Sequence, residues 1–453
     1  MSLLLGIDLG TSYFKVGLFD EGGVLKGLGR VAVQPERTSV GRCELDVSRF
    51  WALLRRGLAE ALAEADANAR EITAVSYSSQ ANSFVLLDEG GATVTPLILW
   101  TDGRAEPAAP DLLEFSRGRV FSETVGFSGW AAGFAVAKLR WLQDNEPATW
   151  ARARRVMTIA DYLSFSLTGE YVGDASTAAF LGLYDLGLRQ WWPEALAASR
   201  IDEAKLSSPL PPGAAAGRTA ARAMELIGLP AGVAFAVGGL DHHVAALGAG
   251  LGKIADVSIS TGTVLAAMTL VSMPRPTAGC FHGPHFDGAG FYRLAFNSAG
   301  AVQLEDYQRK FGAGLSLEKL FSLAESAPSG GSRGMDLGRA EPGIAMRYLL
   351  ENIAATQRDL IRQVNEGKSA LRIVATGGGA RSALWLQIKA DMFDVPVVTT
   401  GSPERACLGA AMLAGVAAGW HRDTAQAMEA MLKPGRVFSP DRASAARYRE
   451  LAW

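Results

Sequence analysis

The first nineteen residues contain two apolar runs separated by a small polar turn. Leu3 to Ile7 is apolar and leads to Asp8, while Phe14, Val16 and Leu18 alternate with smaller partners. Alternation with a period of two is typical of a strand that is buried on one face. The pattern predicts a β-hairpin with an acid at its tip.

A third strand and a long amphipathic helix are predicted next. The turn DEGG precedes a strand at 24–33, and the stretch 43–66 then shows helical spacing. Its apolar positions, which are one, three and four residues apart, are Phe50, Trp51, Leu54, Leu58 and Leu62. Either Asp46 or Ser48 would cap this helix, and its aromatic residues would pack in the core.

Three further strands lead into polar segments. Strands predicted at 72–77 and 83–87 flank the turn SSQAN, and a strand at 97–100 runs into TDGRA. The strand ends would present Gln80, Asn82, Asp102 and Arg104. These side chains are therefore candidates for contact with a polar ligand.

The pattern of the opening hairpin recurs at 256–271, where a strand, the turn STGT and a second strand follow one another. Such a repeat predicts a duplicated fold. If each half carries a hairpin tip of this kind, a nucleotide's phosphates can be gripped from both sides of a cleft between domains. The final third predicts a helix at 344–364, a strand at 371–375, a triple glycine and a helix capped by Ser382.

The length of 453 residues exceeds one ordinary core and predicts two domains, 1–248 and 249–453. The Pro/Gly/Ala-rich tract 207–217 could pass for a linker, but a strand-like segment continues from it towards Gly248. With 49% hydrophobic residues and a net charge of −2, the chain has no basic field for nucleic acid or acidic membranes. Three scattered cysteines and the lack of an apolar stretch of ~18 residues disfavour disulfides and a membrane span. A cytoplasmic protein with a small-molecule partner is expected.

The tip of the first hairpin offers groups that could hold an anion. Gly10, Thr11 and Ser12 supply unhindered backbone N–H groups and two hydroxyls, and Asp8 could reach a cation beside the anion. A metal-bound phosphate chain fits such a turn. The alternative is an ordinary tight hairpin in which the Asp and Thr side chains only satisfy the turn.

Two later features are candidates for chemistry. The glycines Gly377, Gly378 and Gly379 would let the backbone approach a flat ligand or a phosphate, and a strained turn without a ligand is the alternative. Asp241 follows a short apolar strand and a double glycine. An acid there can serve chemistry or cap the helix that follows, and one role does not exclude the other.

Several nucleotide and metal motifs are excluded or disfavoured. GAGLGKI at 248–254 has the wrong spacing for a P-loop and Ile in place of the magnesium-binding hydroxyl, and GGGARS does not fit GxGxxG. His282 and His285 have HxxH spacing, but they lie in a predicted Gly/Pro-rich loop without a carboxylate to complete a set. The sequence therefore does not favour a metal site at these histidines.

Five motifs, taken together and in order, resemble the FGGY family of carbohydrate kinases. They are GIDLGTS, the Lys138-centred KLRWLQDNEP, GGLDHH, the STGT turn and ATGGGARS, and they span nearly the whole chain. ILWTDGR and DYLSFSLTGE are most similar to the xylulose kinase branch. The resemblance implies an α/β fold with two actin-like (ribonuclease H-like) domains and an active-site cleft between them that holds ATP and a sugar.

The resemblance also implies roles for individual residues, with ATP and Mg²⁺ as the cofactors. Asp8 would hold magnesium largely through water, and Asp241 would be the catalytic base. The nucleotide site would comprise Asp8, Gly10, Thr11, Ser12, Thr261, Gly262, Thr263, Gly377, Gly378, Gly379 and Arg381, with the glycine triplet against the adenosine. The sugar site would comprise Gln80, Ala81, Asn82, Trp100, Asp102, Asp241 and His242.

Three departures from the family pattern bear on the substrates. The tripeptide is QAN where xylulose kinases typically have QMH, which changes donors, acceptors and bulk at the sugar. Ala135 replaces a small hydroxyl residue or proline. The segment between Asn297 and Leu350 lacks a longer insertion with a GER-type sequence, which could trim the nucleotide lid and weaken ATP affinity.

The sequence thus predicts an ATP-dependent sugar kinase whose substrate is a ketopentose such as xylulose. The alternatives are a kinase for another polyol, ketose or aldonate, a degenerate kinase that senses a sugar, and a nucleotide-dependent conformational protein like actin. The sugar-side elements QAN, WTD and DHH favour a kinase over a conformational protein. A homodimer is a candidate assembly, and neither nucleic acid nor a membrane is expected as a partner.

Overall fold

The computed structural model describes residues 2–38, 41–262, 264–312, 314–330 and 335–451. They form two compact units. The first comprises Met1–Gly248, Val271–Tyr292 and Ser402–Leu432, and the second comprises Ala249–Leu270, Arg293–Gly401 and Lys433–Trp453. The division of the sequence into domains 1–248 and 249–453 stays a prediction.

The strands in the described residues are, in chain order, β1 (Leu3–Leu9), β2 (Tyr13–Phe19), β3 (Leu25–Ala32), β4 (Glu36–Arg37), β5 (Cys43–Leu45), β6 (Ile72–Ser79), β7 (Phe84–Leu87), β8 (Leu97–Ile98), β9 (Arg155–Thr158), β10 (Val172–Asp174), β11 (Tyr184–Asp185), β12 (Gln190–Trp191), β13 (Ser208–Leu210), β14 (Ala215–Arg218), β15 (Ala234–Ala236), β16 (Gly239–Leu240), β17 (Val257–Thr261), β18 (Leu265–Val271), β19 (Cys280–Pro284), β20 (Phe291–Asn297), β21 (Ile373–Thr376), β22 (Val397–Thr400) and β23 (Pro434–Phe438). The helices are α1 (Val47–Ala65), α2 (Pro110–Ser116), α3 (Arg119–Val125), α4 (Ala135–Asn145), α5 (Pro147–Arg152), α6 (Ile159–Thr168), α7 (Ala175–Ala179), α8 (Pro193–Ser199), α9 (Arg222–Ile227), α10 (Asp241–Gly248), α11 (Val302–Phe311), α12 (Leu317–Glu325), α13 (Pro342–Val364), α14 (Ala383–Phe393), α15 (Arg405–Ala417), α16 (Thr424–Met431) and α17 (Arg442–Glu450).

The main sheet of the first unit is built on the predicted hairpin. Its strand order is β14-β15-β6-β1-β2-β3, and β16 also pairs with β6. β1 runs antiparallel to β2 and parallel to β6, and β15 and β16 run parallel to β6. Leu3, Leu5 and Ile7 face the core cluster that contains α1, whereas Leu4 faces the cluster of α15. Asp8 has the same parity as Leu4 and therefore lies on the α15 side of the sheet.

Helix α1 forms as the sequence predicts. The carboxylate of Asp46 accepts a hydrogen bond from the backbone N–H of Arg49 at 3.1 Å and caps the helix. Its apolar stripe is buried, and Phe50 meets Phe14 of β2 edge-on with ring centroids 5.5 Å apart. The aromatic residues of this helix are core residues.

The second unit repeats the strand order of the first. The order β3-β2-β1-β6-β15 of the first unit corresponds to β20-β18-β17-β21-β22 in the second. In the first unit β1 runs antiparallel to β2 and parallel to β6. In the second unit β17 runs antiparallel to β18 and parallel to β21. The prediction of a duplicated α/β fold is therefore confirmed.

Some elements differ from the sequence predictions. The tract 207–217 contains β13 and β14, because its backbone pairs with β10 and β15. The strand predicted from Leu371 begins at Ile373, and Leu371 is 82% exposed. The backbone N–H groups of Leu371 and Arg372 donate to the carboxylate of Asp256, which holds this segment outside the strand. His282 lies in β19 rather than in a loop.

Every helix in the described part of the chain is too short or too polar to cross a bilayer.

Candidate active site

Two predicted acids lie at the same edge of the first unit's sheet. In the strand register Asp8 of β1 is opposite Ser78 of β6, and Ser78 is opposite Gly239 of β16. Asp241 comes two residues after Gly239 and begins α10. All three strands are parallel, so both acids are at carboxyl ends, where open α/β sheets bind ligands.

The carboxylate of Asp8 is buried in a charged cluster. Ser78 Oγ donates to its Oδ1 at 3.1 Å, and Lys15 Nζ lies 3.5 Å from its Oδ2. Lys15 also pairs with Glu404 at 2.9 Å. Burial raises the pKa of Asp8 to about 6, and the negative charge of Asp241 adds to the rise while Lys15 opposes it.

Asp8 could hold a divalent cation only together with other ligands. In the described residues no three His, Cys, Asp or Glu side chains gather to form a closed metal site. Magnesium, however, is usually held by one or two carboxylates together with substrate phosphates. Burial disfavours ionised Asp8 and so raises its pKa to about 6. A nearby cation would offset this cost of burial.

Buried hydrogen bonds fix the start of α10. Leu240 N donates to Ser176 Oγ at 3.0 Å, and Ser176 Oγ donates to Asp174 at 2.6 Å. A Cβ on Gly238 would lie 1.7 Å from the carbonyl oxygen of Tyr77. Only glycine therefore allows the chain just before β16 to approach β6 this closely. Asp241 therefore projects from a rigid junction, and it remains partly exposed.

The tip of the first hairpin is joined to the segment after β8. Trp100 Nε1 donates to Thr11 Oγ1 at 2.9 Å, although the indole ring remains 38% exposed. Thr11 and Ser12 are exposed and line a cavity of about 310 Å³ with Arg37 and Thr101. The hydroxyl of Thr11 is thus partly committed to Trp100, a link that the sequence did not indicate.

The QAN tripeptide is held largely by protein contacts. Gln80 Nε2 donates to the carbonyl of Gly10 at 3.4 Å, and Ser83 Oγ donates to Gln80 Oε1 at 3.1 Å. Asn82 Oδ1 accepts the N–H of Ala135 at 2.9 Å, while Ala81 is partly exposed. Asn82, which lies outside the helix, therefore caps the start of α4 at Ala135. Ala135 is the position at which the resemblance implies a small hydroxyl residue or proline.

Lys138 joins the segment after β6 to the segment after β8. Its Nζ donates to the carbonyl oxygens of Leu99 at 2.9 Å, Trp100 at 3.0 Å and Asn82 at 3.4 Å. The side chain is fully buried, and burial lowers its pKa to about 7. Lys138 thus fixes the backbone on both sides of the proposed sugar contacts.

Asp102 is buried and paired. Its oxygens accept from Arg104 Nε at 2.8 Å, from Arg104 Nη2 at 2.9 Å and from the N–H of Cys43 at 2.6 Å. Burial alone would raise the pKa of Asp102, but the hydrogen bonds from Arg104 and Cys43 lower it overall. His242, by contrast, is partly exposed beside Asp241.

In the second unit, Thr261 is a buried hub at the end of β17. Its Oγ1 donates to Gln357 Oε1 at 3.2 Å and accepts from Lys389 Nζ at 2.6 Å. The side chain is 1% exposed. Its hydroxyl faces the interior, and the N–H of the next residue, Gly262, donates to the carbonyl oxygen of Val264 at 3.3 Å. Thr263 lies outside the described residues.

The glycine turn packs against this hub. Gly377 has φ +77°, and a Cβ there would lie 2.6 Å from the carbonyl oxygen of Thr261. A Cβ on Gly379 would lie 2.7 Å from Thr261 Cβ, whereas one on Gly378 would meet nothing within 4 Å. Gly378 and Arg381 are exposed and lie in a short 3-10 helix. The turn is thus closely packed at Gly377 and Gly379 and open at Gly378.

Two family models match parts of this chain. The model described as the FGGY family of carbohydrate kinases, N-terminal domain, matches residues 3–248, which is more than half of the chain. The chain belongs to the FGGY family. The corresponding C-terminal model matches residues 319–418. The FGGY chain is a two-domain sugar kinase, and kinases of this family are phosphotransferases that use ATP with a divalent metal.

Individual FGGY relatives carry different names. The chain is 29% identical to the xylulose kinase of Lactococcus lactis subsp. lactis, over 100% of this chain and 95% of the relative. It is 28% identical to the autoinducer-2 kinase of Enterobacter sp., over 97% and 91%. The crystal structure of xylulose kinase from Rhodospirillum rubrum superposes with a TM-score of 0.85 at 25% identity, covering 99% of this chain and 96% of that one. These similarities leave the sugar open.

The structure of this FGGY kinase also brings forward residues that the sequence did not assign to the site. Lys15 and Glu404 are linked to Asp8, and Lys389 is linked to Thr261. Lys15 follows from the hairpin itself, because its strand position is directly opposite Asp8. Glu404 is 389 residues from Lys15 and Lys389 is 128 residues from Thr261, so no local pattern indicates them.

Proposed function

We propose that this FGGY chain transfers the γ-phosphoryl group of ATP to a hydroxyl of a small ketose, with a ketopentose such as xylulose as the substrate. The observation that carries the proposal is the pair Asp8 and Asp241 at the carboxyl ends of β1 and β16, close enough for Asp241 to raise the pKa of Asp8. Phosphoryl transfer needs one group for the cation and one for the proton of the attacking hydroxyl.

In this proposal Asp241 accepts the proton of the sugar hydroxyl. The deprotonated oxygen forms a bond to the γ-phosphorus in line, the bond to the β–γ bridging oxygen breaks, and ADP leaves. Magnesium, held near Asp8 largely through water, would neutralise charge on the phosphate oxygens. The backbone N–H of Gly10 and the Thr261–Gly262 turn would contact phosphates, and the exposed face of Gly378 would lie against the adenosine.

Two partly exposed side chains are the proposed determinants of sugar choice. The amides of Gln80 and Asn82 are engaged by neighbouring protein groups, which leaves His242 and Trp100 to respond to the substrate. The xylulose kinase of Lactococcus lactis supports a ketopentose. The autoinducer-2 kinase of Enterobacter sp. is similar at almost the same level, so other polyols, ketoses and aldonates are second candidates.

A coupled ADP-release screen over pentuloses, hexuloses, polyols and aldonates, with magnesium and ATP, tests the proposal. The true substrate should stimulate ADP release. A general base contributes ~10²–10⁴-fold, so Asp241→Asn should lower kcat by that factor, or ~3–5 kcal/mol. Asp66→Asn is the matched control, because Asp66 is exposed in a left-handed position that asparagine adopts equally well.

Each alternative gives a different result in the same screen. Full turnover by Asp241→Asn would remove Asp241 as the base. ATP hydrolysis that no sugar stimulates would favour an actin-like conformational protein. Sugar binding without ATP binding, measured by calorimetry, would favour a sensor.

A further inference from the structure

The second unit contains a buried lysine amine directly behind its hairpin tip. Lys389 of α14 is 0% exposed, and its Nζ lies 2.6 Å from Thr261 Oγ1 and 4.5 Å from the centroid of the Trp385 ring. Thr261 ends β17 and packs against the glycine turn. One hydroxyl therefore separates Lys389 from the backbone that we propose as the phosphate loop.

The neighbouring hydrogen bonds have a fixed direction. Gln357 Nε2 donates to the carbonyl of Ser260 at 2.9 Å, which fixes the orientation of the amide. Gln357 Oε1 must then accept from the Thr261 hydroxyl, at 3.2 Å. The lone pairs of Thr261 Oγ1 are left for Lys389, so the site offers Lys389 one neutral acceptor.

No described acid balances this lysine. Burial alone lowers the pKa of Lys389 to about 7, and no charged neighbour in the described chain adds to or opposes the shift. Charged or titratable groups do occur on the elements around it: Asp391 on α14, Glu351 and Arg358 on α13, Arg381 in the glycine turn and Tyr448 on α17. Glu351 pairs with Arg347 at 2.8 Å, and Asp391 accepts from Gln387 at 2.7 Å.

We infer that Lys389 is a positioning residue that takes up a proton when the phosphates of a nucleotide bind at the Thr261–Gly262 backbone. The proton comes from solvent and adds to the neutral Nζ amine, and the resulting ammonium balances the charge of the phosphates through Thr261. The inference rests on the proposed function, because it requires this loop to bind phosphate. It makes nucleotide affinity depend on pH through a residue that does not touch the nucleotide.

The expected size of the effect follows from proton linkage. If phosphates raise the pKa of Lys389 from about 7 to above about 9, binding takes up about 0.5 proton at pH 7 and about 0.9 at pH 8. Nucleotide affinity should then fall by about twentyfold between pH 6.5 and 8.5. A neutral residue at position 389 should remove both effects.

The test is isothermal titration calorimetry of the full chain with MgADP, in buffers of different ionisation enthalpy, at pH 6.5, 7.5 and 8.5. Lys389→Met keeps the length of the side chain and should bind MgADP without proton uptake and with a flat pH profile between pH 7.5 and 8.5, where Asp8, with a pKa of about 6, is already ionised. Lys368→Met is the matched control, since Lys368 is an exposed lysine of the same unit, and it should behave as the wild type does. Lys389→Gln is the second variant in case the first does not fold.

The outcomes separate this inference from the proposed function. Equal proton uptake and equal pH profiles in the wild type and the Lys389 variants would overturn the inference while nucleotide binding stands. If neither Lys389 variant folds, a wild-type uptake that does not rise between pH 6.5 and 8.5 would overturn it as well. Absence of MgADP binding at every pH would overturn the proposed phosphate loop and the inference with it.

Discussion

Gly378→Ala separates a ligand contact from a packing contact within one turn. A methyl group on Gly378 meets nothing within 4 Å, and the residue is exposed without a left-handed φ. A methyl group on Gly379 would lie 2.7 Å from Thr261 Cβ and 3.0 Å from Trp385 Cζ3. If adenosine lies against the turn, Gly378→Ala should affect only nucleotide binding, and Gly379→Ala should affect the fold.

The magnitudes follow from these distances. At a compatible backbone position, Gly→Ala stabilises by ~0.4–1 kcal/mol because it restricts the unfolded chain, so Gly378→Ala should keep or slightly raise the Tm. Forcing a methyl group into a packed site costs ~1–3 kcal/mol. If the methyl group of Gly378→Ala meets the bound nucleotide, the same ~1–3 kcal/mol corresponds to a roughly 5- to 150-fold higher KM for ATP. Applied to the core, it predicts that Gly379→Ala loses ~1–3 kcal/mol of unfolding free energy.

Steady-state kinetics and urea denaturation measure the two effects separately. The KM for the sugar serves as the internal control and should not change in Gly378→Ala. An unchanged KM for ATP in a folded Gly378→Ala variant would refute the placement of adenosine at this turn. A loss of more than about 1 kcal/mol of stability in Gly378→Ala would refute the open space above it.

Three further predictions concern the first unit. Lys138→Met removes the donor for the carbonyl groups of Leu99 and Trp100, so the KM for the sugar should rise several-fold while the KM for ATP stays constant. Asp102→Asn breaks a buried ion pair with Arg104 and should lower the unfolding free energy by ~3–5 kcal/mol in urea; a normal stability with a raised sugar KM would instead favour a pure substrate contact. Burial lowers the pKa values of His243 and His285 below 6.5. The unfolded chain therefore binds more protons below pH 6.5, and stability should fall as the pH drops from there, less steeply in His243→Phe.

Local patterns were sufficient for the hairpins and for α1, because strand alternation and helical spacing involve near neighbours. The cap at Asp46 and the repeat at 256–271 are cases of this kind. The proposed roles of Asp102 and Asn82 came from a resemblance, and the sequence could not reveal that both side chains also hold the fold together. Asp102 reaches Cys43 across 59 positions, and Asn82 reaches Ala135 across 53. Such contacts depend on tertiary packing, which a single sequence does not encode in any local pattern.

The two hairpin tips differ in the charge balance of the lysine beside them, and this difference has a chemical consequence. In the first unit, Lys15 lies 3.5 Å from Asp8 and 2.9 Å from Glu404. Burial alone would lower the pKa of Lys15, but these acids raise it, so its charge is already matched before any ligand binds. In the second unit, the hydrogen-bond partner of Lys389 among the described residues is the neutral hydroxyl of Thr261, and its pKa is lowered to about 7. At the second tip a bound anion would supply the counter-charge that Lys389 lacks, whereas at the first tip Lys15 already has its counter-charges. Phosphate bound at both tips is therefore expected to cause proton uptake only beside the second.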